Sequence, residues 1–495
     1  MKATDCSKGI EVARFVDAGR KQRWILPPSI DEMVPADHPV RLFDEIITGI
    51  DAAALRAKYK NDNGRPAYEP TIVLRILLWA YLQGEQSSRK IARACCENIV
   101  YMYLAGSYRP DFRTLCLFRK SNREEFRRVL KETLKVGKEM SPTSFAHTNI
   151  DGTKVRADAS AGAQSTEEQL DKQAQELAEA ILRKAEEVDA AQDKEFGEGD
   201  GYAHLPKTLQ GKADRLRRIK EAKKKLSGSP DAKTANVTDP ESTYIKDLRG
   251  PGYNAQAAVD SESRLITADG VTSNPSDNAQ LVPMVKAHKE NTGTASGTAA
   301  ADAGYSGGKN LRDSEDAGYE PYIPQKENLD APREKKESGV EKFGRGKFKY
   351  EEDKDAYRCP AGKLLEFHHH KIDDKATGEV KIRVYKCSEC TSCGVRHRCT
   401  DSRGGRELHI SEYDKELRTV EERLSTSEGR KRYKKRKSTV ETVFGYIKRL
   451  MRFRRFSLRG LLGVCAEWSV VCAAYNIRRL MTLKREDKAM EAATG

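Results

Sequence analysis

The segment Tyr433–Leu450, YKKRKSTVETVFGYIKRL, limits the possible folds of this chain more than any other stretch. On a helix, Tyr433, Arg436, Val440, Glu441, Phe444, Ile447 and Lys448 fall on one stripe. Val440, Phe444 and Ile447 need a core beneath them, and Glu441 is expected at the edge of that seam. A carboxylate in such a place is costly unless something pairs with it. A plain Glu–Lys surface pair would not explain why a tyrosine and an arginine share the same side. The helix is therefore expected to hold Glu441 against groups supplied from elsewhere in the chain.

Two aspartates are the candidates. Asp151 stands in NIDGTKVRAD and Asp302 in ADAGYSGG, each at the exit of a short apolar run and before a turn. Either one alone reads as a turn former or helix cap. Together with Glu441 they form a set of three carboxylates from two strands and a helix. Clustered carboxylates repel one another unless a cation neutralises them, and all-oxygen ligation favours Mg²⁺ or Mn²⁺. Two such ions, about 3.5–4 Å apart, activate the attacking oxygen and stabilise the leaving oxygen of a phosphodiester. Tyr433, Arg436 and Lys448 are then expected to position DNA phosphates.

The rest of the chain frames this site. Its 495 residues exceed one ordinary core, so two or three domains, or one with large insertions, are expected. There are 89 Lys and Arg against 75 Asp and Glu, a net charge of +14, which favours a polyanionic partner. No signal peptide or membrane span is evident, so a cytoplasmic protein is expected, with its 11 cysteines as thiols or metal ligands. Residues 1–30 read as an extended lead-in. Residues 31–140 read as helical, and a third helix bearing Arg113, Arg119, Lys120 and Arg123 suggests a helix-turn-helix arrangement. Residues 165–235 read as a polar, largely basic helical insertion, GYNAQAAVDSESRLITADGVT as a β-hairpin, and 327–425 as an irregular, cysteine-containing insertion. Within the latter, Cys359, Cys387, Cys390, Cys393 and Cys399 have the density of a structural zinc or iron–sulfur site, and idle thiols are the alternative. His368–His370 read as an alternating strand. Cys95, Cys96, Cys116, Cys465 and Cys472 lie in apolar helices and are expected in the core. The tract Arg430–Arg459 is dense in Lys and Arg interrupted by aromatics, a pattern suited to DNA.

The stretches around Asp151, Asp302 and Glu441 resemble the D-D-E set of bacterial insertion-sequence transposases. Tyr433, Arg436, Glu441 and Lys448 match the Tyr-x2-Arg, Glu-x6-Lys signature of one group of them. LPPSIDEMVPADHPVRLFDEII resembles the start of that group's N-terminal domain, TDPESTYIKD…GYNAQAAVD its second and third core strands, and RGLLGVCAEWSVVCAAYNIRRL its closing helix. The resemblance implies an α/β fold: a ribonuclease H-like mixed-sheet core over 141–480 with two insertions, an all-α helix-turn-helix-like domain before it and a polar tail over 481–495. Asp151 would lie on the first core strand, Asp302 just after the fourth and Glu441 on a late helix. The resemblance further implies metal-dependent cleavage of element ends and strand transfer into target DNA, with double-stranded DNA as partner and a homodimer in the synaptic complex. The alternatives are a ribonuclease H-like nuclease without strand transfer, and a non-catalytic, zinc-dependent DNA-binding protein derived from a transposase.

Overall fold

The structure, a computed structural model, describes residues 28–59, 68–141, 143–196, 207–228, 233–325, 333–334, 341–375 and 378–494. The expected lead-in over residues 1–30 lies almost wholly outside them.

The first part is helical: α1 (Pro39–Thr48), α2 (Pro70–Leu82), α3 (Ser88–Glu97), α4 (Ile99–Ala105), α5 (Phe112–Ser121) and α6 (Arg123–Met140). Local chemistry sets their starts. Proline opens α1 and α2, where its missing N–H is no loss. The Asn98 side chain accepts from Val100 N, and that of Asp111 from Arg113 N. Helix α2 is apolar nearly all round and accordingly buried nearly all round.

Next comes β1 (His147–Arg156), followed by an excursion of two helices, α7 (Glu167–Phe196) and α8 (Lys207–Ser227). Leu170, Ile219, Ala222 and Leu226 form this hairpin's own small core with Ala235 and Val237. The chain then builds β2 (Thr243–Ile245), β3 (Gly250–Asp260), β4 (Ile266–Thr272), α9 (Leu281–Thr292), β5 (Gly297–Ala300), α10 (Gly308–Asp316) and β6 (Tyr319–Tyr322). The sheet order is β4-β3-β1-β5-β6, with β2 beside the first residues of β3. Strands β1, β3 and β4 pair antiparallel, whereas β1, β5 and β6 pair parallel. The hairpin expected from GYNAQAAVDSESRLITADGVT is thus β3–β4, and TYI forms only the short β2. Every residue of β3 is buried, consistent with its central place.

Residues 327–425, expected to be irregular, contain a second sheet among those described. Strands β7 (Lys349–Glu351), β8 (Ala356–Arg358), β9 (Leu364–Lys375), β10 (Gly378–Lys386) and β11 (Glu407–Ser411) pair antiparallel in chain order. Their charged outer faces hid the alternation. Phe348, Tyr357, Leu365, Tyr385, Cys387, Leu408 and Ile410 form one buried cluster, and Val380, Ile382 and Val384 of β10 form a second with Tyr413. His368–His370 lie exposed in β9, as the alternating pattern implied.

The chain closes with α11 (Asp414–Ser425), α12 (Ser427–Arg449) and α13 (Leu461–Thr494), the last running through the stretch expected as a polar tail. One apolar cluster joins α1–α6 to α13, the buried side of α12 and part of β3. Buried polar groups tie the same parts together. Glu467 on α13, wholly buried, accepts from Tyr81 Oη at 2.7 Å, Ser457 N at 2.8 Å, Leu458 N at 2.9 Å and the Ser457 hydroxyl. Arg119 in turn donates to Tyr81 Oη at 2.8 Å, Gln86 O at 2.9 Å and Ser457 Oγ at 3.1 Å. Cys95, Cys465 and Cys472 are buried as expected, but Cys96 is exposed and Cys116 half-buried, on the outer sides of their helices. Among the described residues, no helix is long and apolar enough to cross a membrane.

Candidate active site

The alternation of β1 decides where Asp151 points. Ile150 belongs to the apolar cluster under the sheet, with Leu281, Val285 and Tyr305, so Asp151 projects from the opposite face. Helix α12 lies there, and Arg436 Nη1 is 3.1 Å from Asp151 Oδ2. The parallel register of β1 and β5 brings in the second aspartate. Asn149 lies opposite Ala300. Asp151 and Asp302 each stand two residues further on, where the two chains run side by side. Asp302 also caps the turn Ala303–Tyr305, its Oδ1 accepting from Gly304 N at 2.8 Å. Asp151 Oδ1 accepts from Gly152 N at 2.8 Å. Burial pushes the Asp151 carboxyl up to about 6; Arg436 and the Gly152 N–H oppose this, while the Asp302 charge adds to it.

Helix α12 supplies the basic side of the site. The Arg436 guanidinium lies over the Tyr433 ring, 5.7 Å from its centroid. Arg432, one turn earlier, reaches His147 Nδ1 at 2.8 Å. Lys448 is half-buried; burial and neighbouring Arg454 lower its pKa, and the Asp151 charge raises it. Asp151 thus interacts electrostatically with both Arg436 and Lys448, which bracket Glu441 along the helix. Glu441 lies at the edge of the buried seam and is exposed there. The buried positions are Thr439, Val440, Val443, Phe444 and Ile447. At about 100° per residue, Glu441 is rotated past Val440 to the solvent side, where it is exposed. Among the described residues, no group of three or more His, Cys, Asp or Glu side chains is gathered so that it could hold a metal ion.

A polar network lies behind the aspartates, and sequence reasoning missed it. Asp277 Oδ1 accepts from Asn254 Nδ2 at 2.6 Å, Gln256 Nε2 at 2.8 Å and Lys154 Nζ at 3.2 Å. Gln256 Oε1 accepts from the Tyr305 hydroxyl, three residues after Asp302. Gly152 makes room for this network: a Cβ there would lie 2.4 Å from Gln256 Nε2, 2.5 Å from Asp277 Oδ1 and 2.8 Å from Asn254 Oδ1. The available signal was Asn254 and Gln256, two amides at alternate positions of an otherwise apolar strand. Such groups need partners when buried.

Two other sequence readings are corrected here. Arg119, counted on the basic face of the third helix, is buried in the Tyr81–Glu467 network, while Arg113 and Lys120 remain exposed. Phe444, Phe453 and Phe456 of the basic tract are core residues, which leaves the half-buried Tyr433 and Tyr446 as its accessible rings.

The five cysteines of the second insertion line one small cavity beneath Phe343, Phe348 and Leu365. Tight turns present them: Gly362 N donates to Cys359 O at 2.9 Å and Cys393 N to Cys390 O at 3.3 Å. Gly405, at φ +90°, passes so close that a Cβ would lie 2.7 Å from Cys390 Cβ. Burial raises the Cys387 thiol to about 11 and raises Cys399 as well.

Two family models match the chain. One, described as a Transposase DDE domain, covers residues 358–481, and a second, described as a Transposase domain (DUF772), covers residues 28–121. The first spans α12 with Arg436 and Glu441; Asp151 and Asp302 lie outside both. These matches are consistent with membership in a transposase family. No curated protein matches the chain.

Proposed function

We propose that this protein is a DDE-type transposase with a ribonuclease H-like catalytic core, which cleaves phosphodiesters at the ends of a mobile element and joins the freed 3′ ends to target DNA. The placement of Asp151 on β1 near Asp302, two residues past the end of the parallel strand β5, with Arg436 on Asp151, carries this reading. The sheet order β4-β3-β1-β5-β6, with helices crossing between the parallel strands, supports the ribonuclease H-like assignment, and the two family matches support the transposase assignment.

The donors present suit a hard divalent cation. Two carboxylates lie close together in a partly desolvated site, and among the described residues Arg436 is the cation at hydrogen-bond range of Asp151. Asp151 and Asp302, with Glu441 from the exposed rim of α12, would hold one or two Mg²⁺ or Mn²⁺ ions, whose chemistry is Lewis-acid activation of the attacking and leaving oxygens. The chain's own residues do the positioning. Arg436, stacked over Tyr433, and Lys448 would hold the phosphates on either side of the scissile bond. The exposed Arg113 and Lys120 of α5 would contact duplex DNA in a helix-turn-helix-like manner, and the two element ends would be brought together by a homodimer. Five thiols line one cavity, and four of Cys359, Cys387, Cys390, Cys393 and Cys399 would hold a structural Zn²⁺ once drawn together from their present positions, in which no three are gathered for a metal.

The test is an in vitro assay with Mg²⁺ or Mn²⁺ on duplexes carrying the terminal sequences that flank the gene. The parent chain is expected to nick these ends and join a 3′-hydroxyl donor to plasmid DNA. Asp151→Ala, Asp302→Ala and Glu441→Ala should each abolish both steps. Nicking without joining would leave a nuclease, and undiminished activity in all three variants would end the enzymatic reading.

A further inference from the structure

A second basic surface begins at the far end of β1. Segment Arg454–Phe456 lies along that end: Arg156 N donates to Arg454 O at 3.3 Å, Phe456 N to Arg156 O at 2.8 Å, and Arg156 and Arg455 form a parallel bridge. Phe453, Phe456 and Leu458 are buried, with 1%, 1% and 3% exposure, which anchors the segment and turns Arg454, Arg455 and Arg459 outward. Across a cleft from them stands Arg249, with Arg156 between, and the Ser160 and Thr238 side chains complete the lining. Arg249 adopts φ 49°, a left-handed conformation that is strained for an arginine. The one acid in the lining, Asp158, pairs with Arg459 at 2.9 Å. Arg156, Arg249 and Arg455 are exposed and take part in none of the ion pairs among the described residues.

The surface is continuous with the aspartate site. Lys448, whose charge interacts with that of Asp151, accepts at its carbonyl from Arg454 Nε at 3.2 Å, and Arg454 adjoins Arg455 at the cleft. We propose that this arginine cleft binds the backbone of the duplex flanking the bond cut at Asp151 and Asp302. This inference rests on the function proposed above and adds a position. Asp151 and Arg156 are five strand residues apart, about 17 Å. The odd spacing turns Arg156 to the other face of β1 from Asp151, so a DNA strand reaches the cleft by passing round the end of β1, at least about five nucleotides from the scissile phosphate at about 3.4 Å per nucleotide. Double-stranded DNA fits the chemistry because four guanidinium groups face one already-paired carboxylate, and planar guanidinium forks match phosphate oxygens.

The experiment compares the parent chain with Arg156→Gln/Arg249→Gln/Arg455→Gln on duplexes of the gene's flanking terminal sequence. These are trimmed to leave about three or about fifteen base pairs beyond the cut on either side. On the long duplex the triple variant is expected to bind more weakly, with the slope of log K against log[salt] reduced by about 2–3, near 0.9 per lost phosphate contact. On the duplex with the short flank toward the cleft, variant and parent should bind and cleave alike. An unchanged salt slope on the long duplex, or an equal loss on both lengths, overturns the proposal. If the triple variant does not fold, Arg249→Gln and Arg455→Gln singly make the same comparison, each with a slope change of about one. Because binding is read without cleavage, a parent chain that binds but never cuts refutes the proposed catalysis and leaves this measurement intact.

Discussion

Replacing Glu467 with alanine tests whether the buried polar network holds the first helices onto the rest of the molecule. The carboxylate accepts four hydrogen bonds, two from the backbone at Ser457 and Leu458 and two from hydroxyls. Arg119, 4% exposed, shares Tyr81 and Ser457 with it. Removing the carboxylate strands a buried guanidinium and leaves two N–H groups without an acceptor, a loss of about 3–5 kcal/mol. Glutamine should cost less. Its oxygen can face the two N–H groups and its amide the two hydroxyls, which can turn to accept, so mainly the charge pairing with Arg119 is lost. Tyr81→Phe should cost about 1–2 kcal/mol. A chain of this size is not expected to unfold in one step, so hydrogen exchange is the suitable assay. Amides of α2 and α5 should exchange about two to three orders of magnitude faster in Glu467→Ala. Exchange within tenfold of the parent, or strictly additive effects of Glu467→Ala and Arg119→Met in a double-mutant cycle, would refute the reasoning.

Tyr305→Phe removes the donor to Gln256 behind Asp302. It should raise the Mg²⁺ concentration needed for cleavage while leaving DNA affinity unchanged in a filter-binding assay; equal metal dependence would show that the network does not position Asp302. Gly152→Ala drives a methyl group into Gln256 and Asp277, and should lower the melting temperature by the equivalent of about 1–3 kcal/mol of overpacking, read by calorimetry. The purified chain should carry about one zinc per molecule by elemental analysis, and chelation should loosen the β7–β11 sheet, seen as faster exchange there, while the main sheet stays protected. Full thiol reactivity of all five cysteines before chelation would count against the zinc. His288, buried between Thr267 and the Phe145 carbonyl, has its pKa lowered by burial to about 4. Its contribution is fully present above about pH 6.5, declines as the pH falls, and is exhausted near pH 4. Over that window the parent should lose up to about 3 kcal/mol relative to His288→Gln, measured by parallel melting curves.

The parts of the fold legible in the sequence were those with strong periodicity or clear punctuation. The helices opened by Pro39, Pro70 and Asp111, the β3–β4 hairpin and the helix of Tyr433–Leu450 all carry such signals. Strand β5 was harder, because GTAA has no large aliphatic side chain. Small residues are needed there, since a Cβ on Gly297 would lie 2.2 Å from Ala146 O. The second sheet was missed because β7 buries no side chain and most of β9 is exposed on both faces, so Lys, Glu, Asp and His break the alternation there. At the site, the pairing of Asp151 with Asp302 rests on a parallel register that periodicity cannot supply. Glu441 was read at the edge of its helix's apolar stripe, and periodicity alone could not tell that this edge is exposed. Asp277 was passed over because Ser-Asp-Asn before a helix looks like ordinary capping chemistry; its partners come from β1 and β3, far away in sequence.

The apolar cluster shared by α1–α6 and α13 also bears on biosynthesis. The helices made early cannot finish packing until a helix that follows the whole catalytic sheet has left the ribosome. A nascent chain halted before Leu461 would present sticky, half-assembled surfaces in place of a packed core. Chains truncated before Leu461 should therefore be cleared by proteases rather than accumulate.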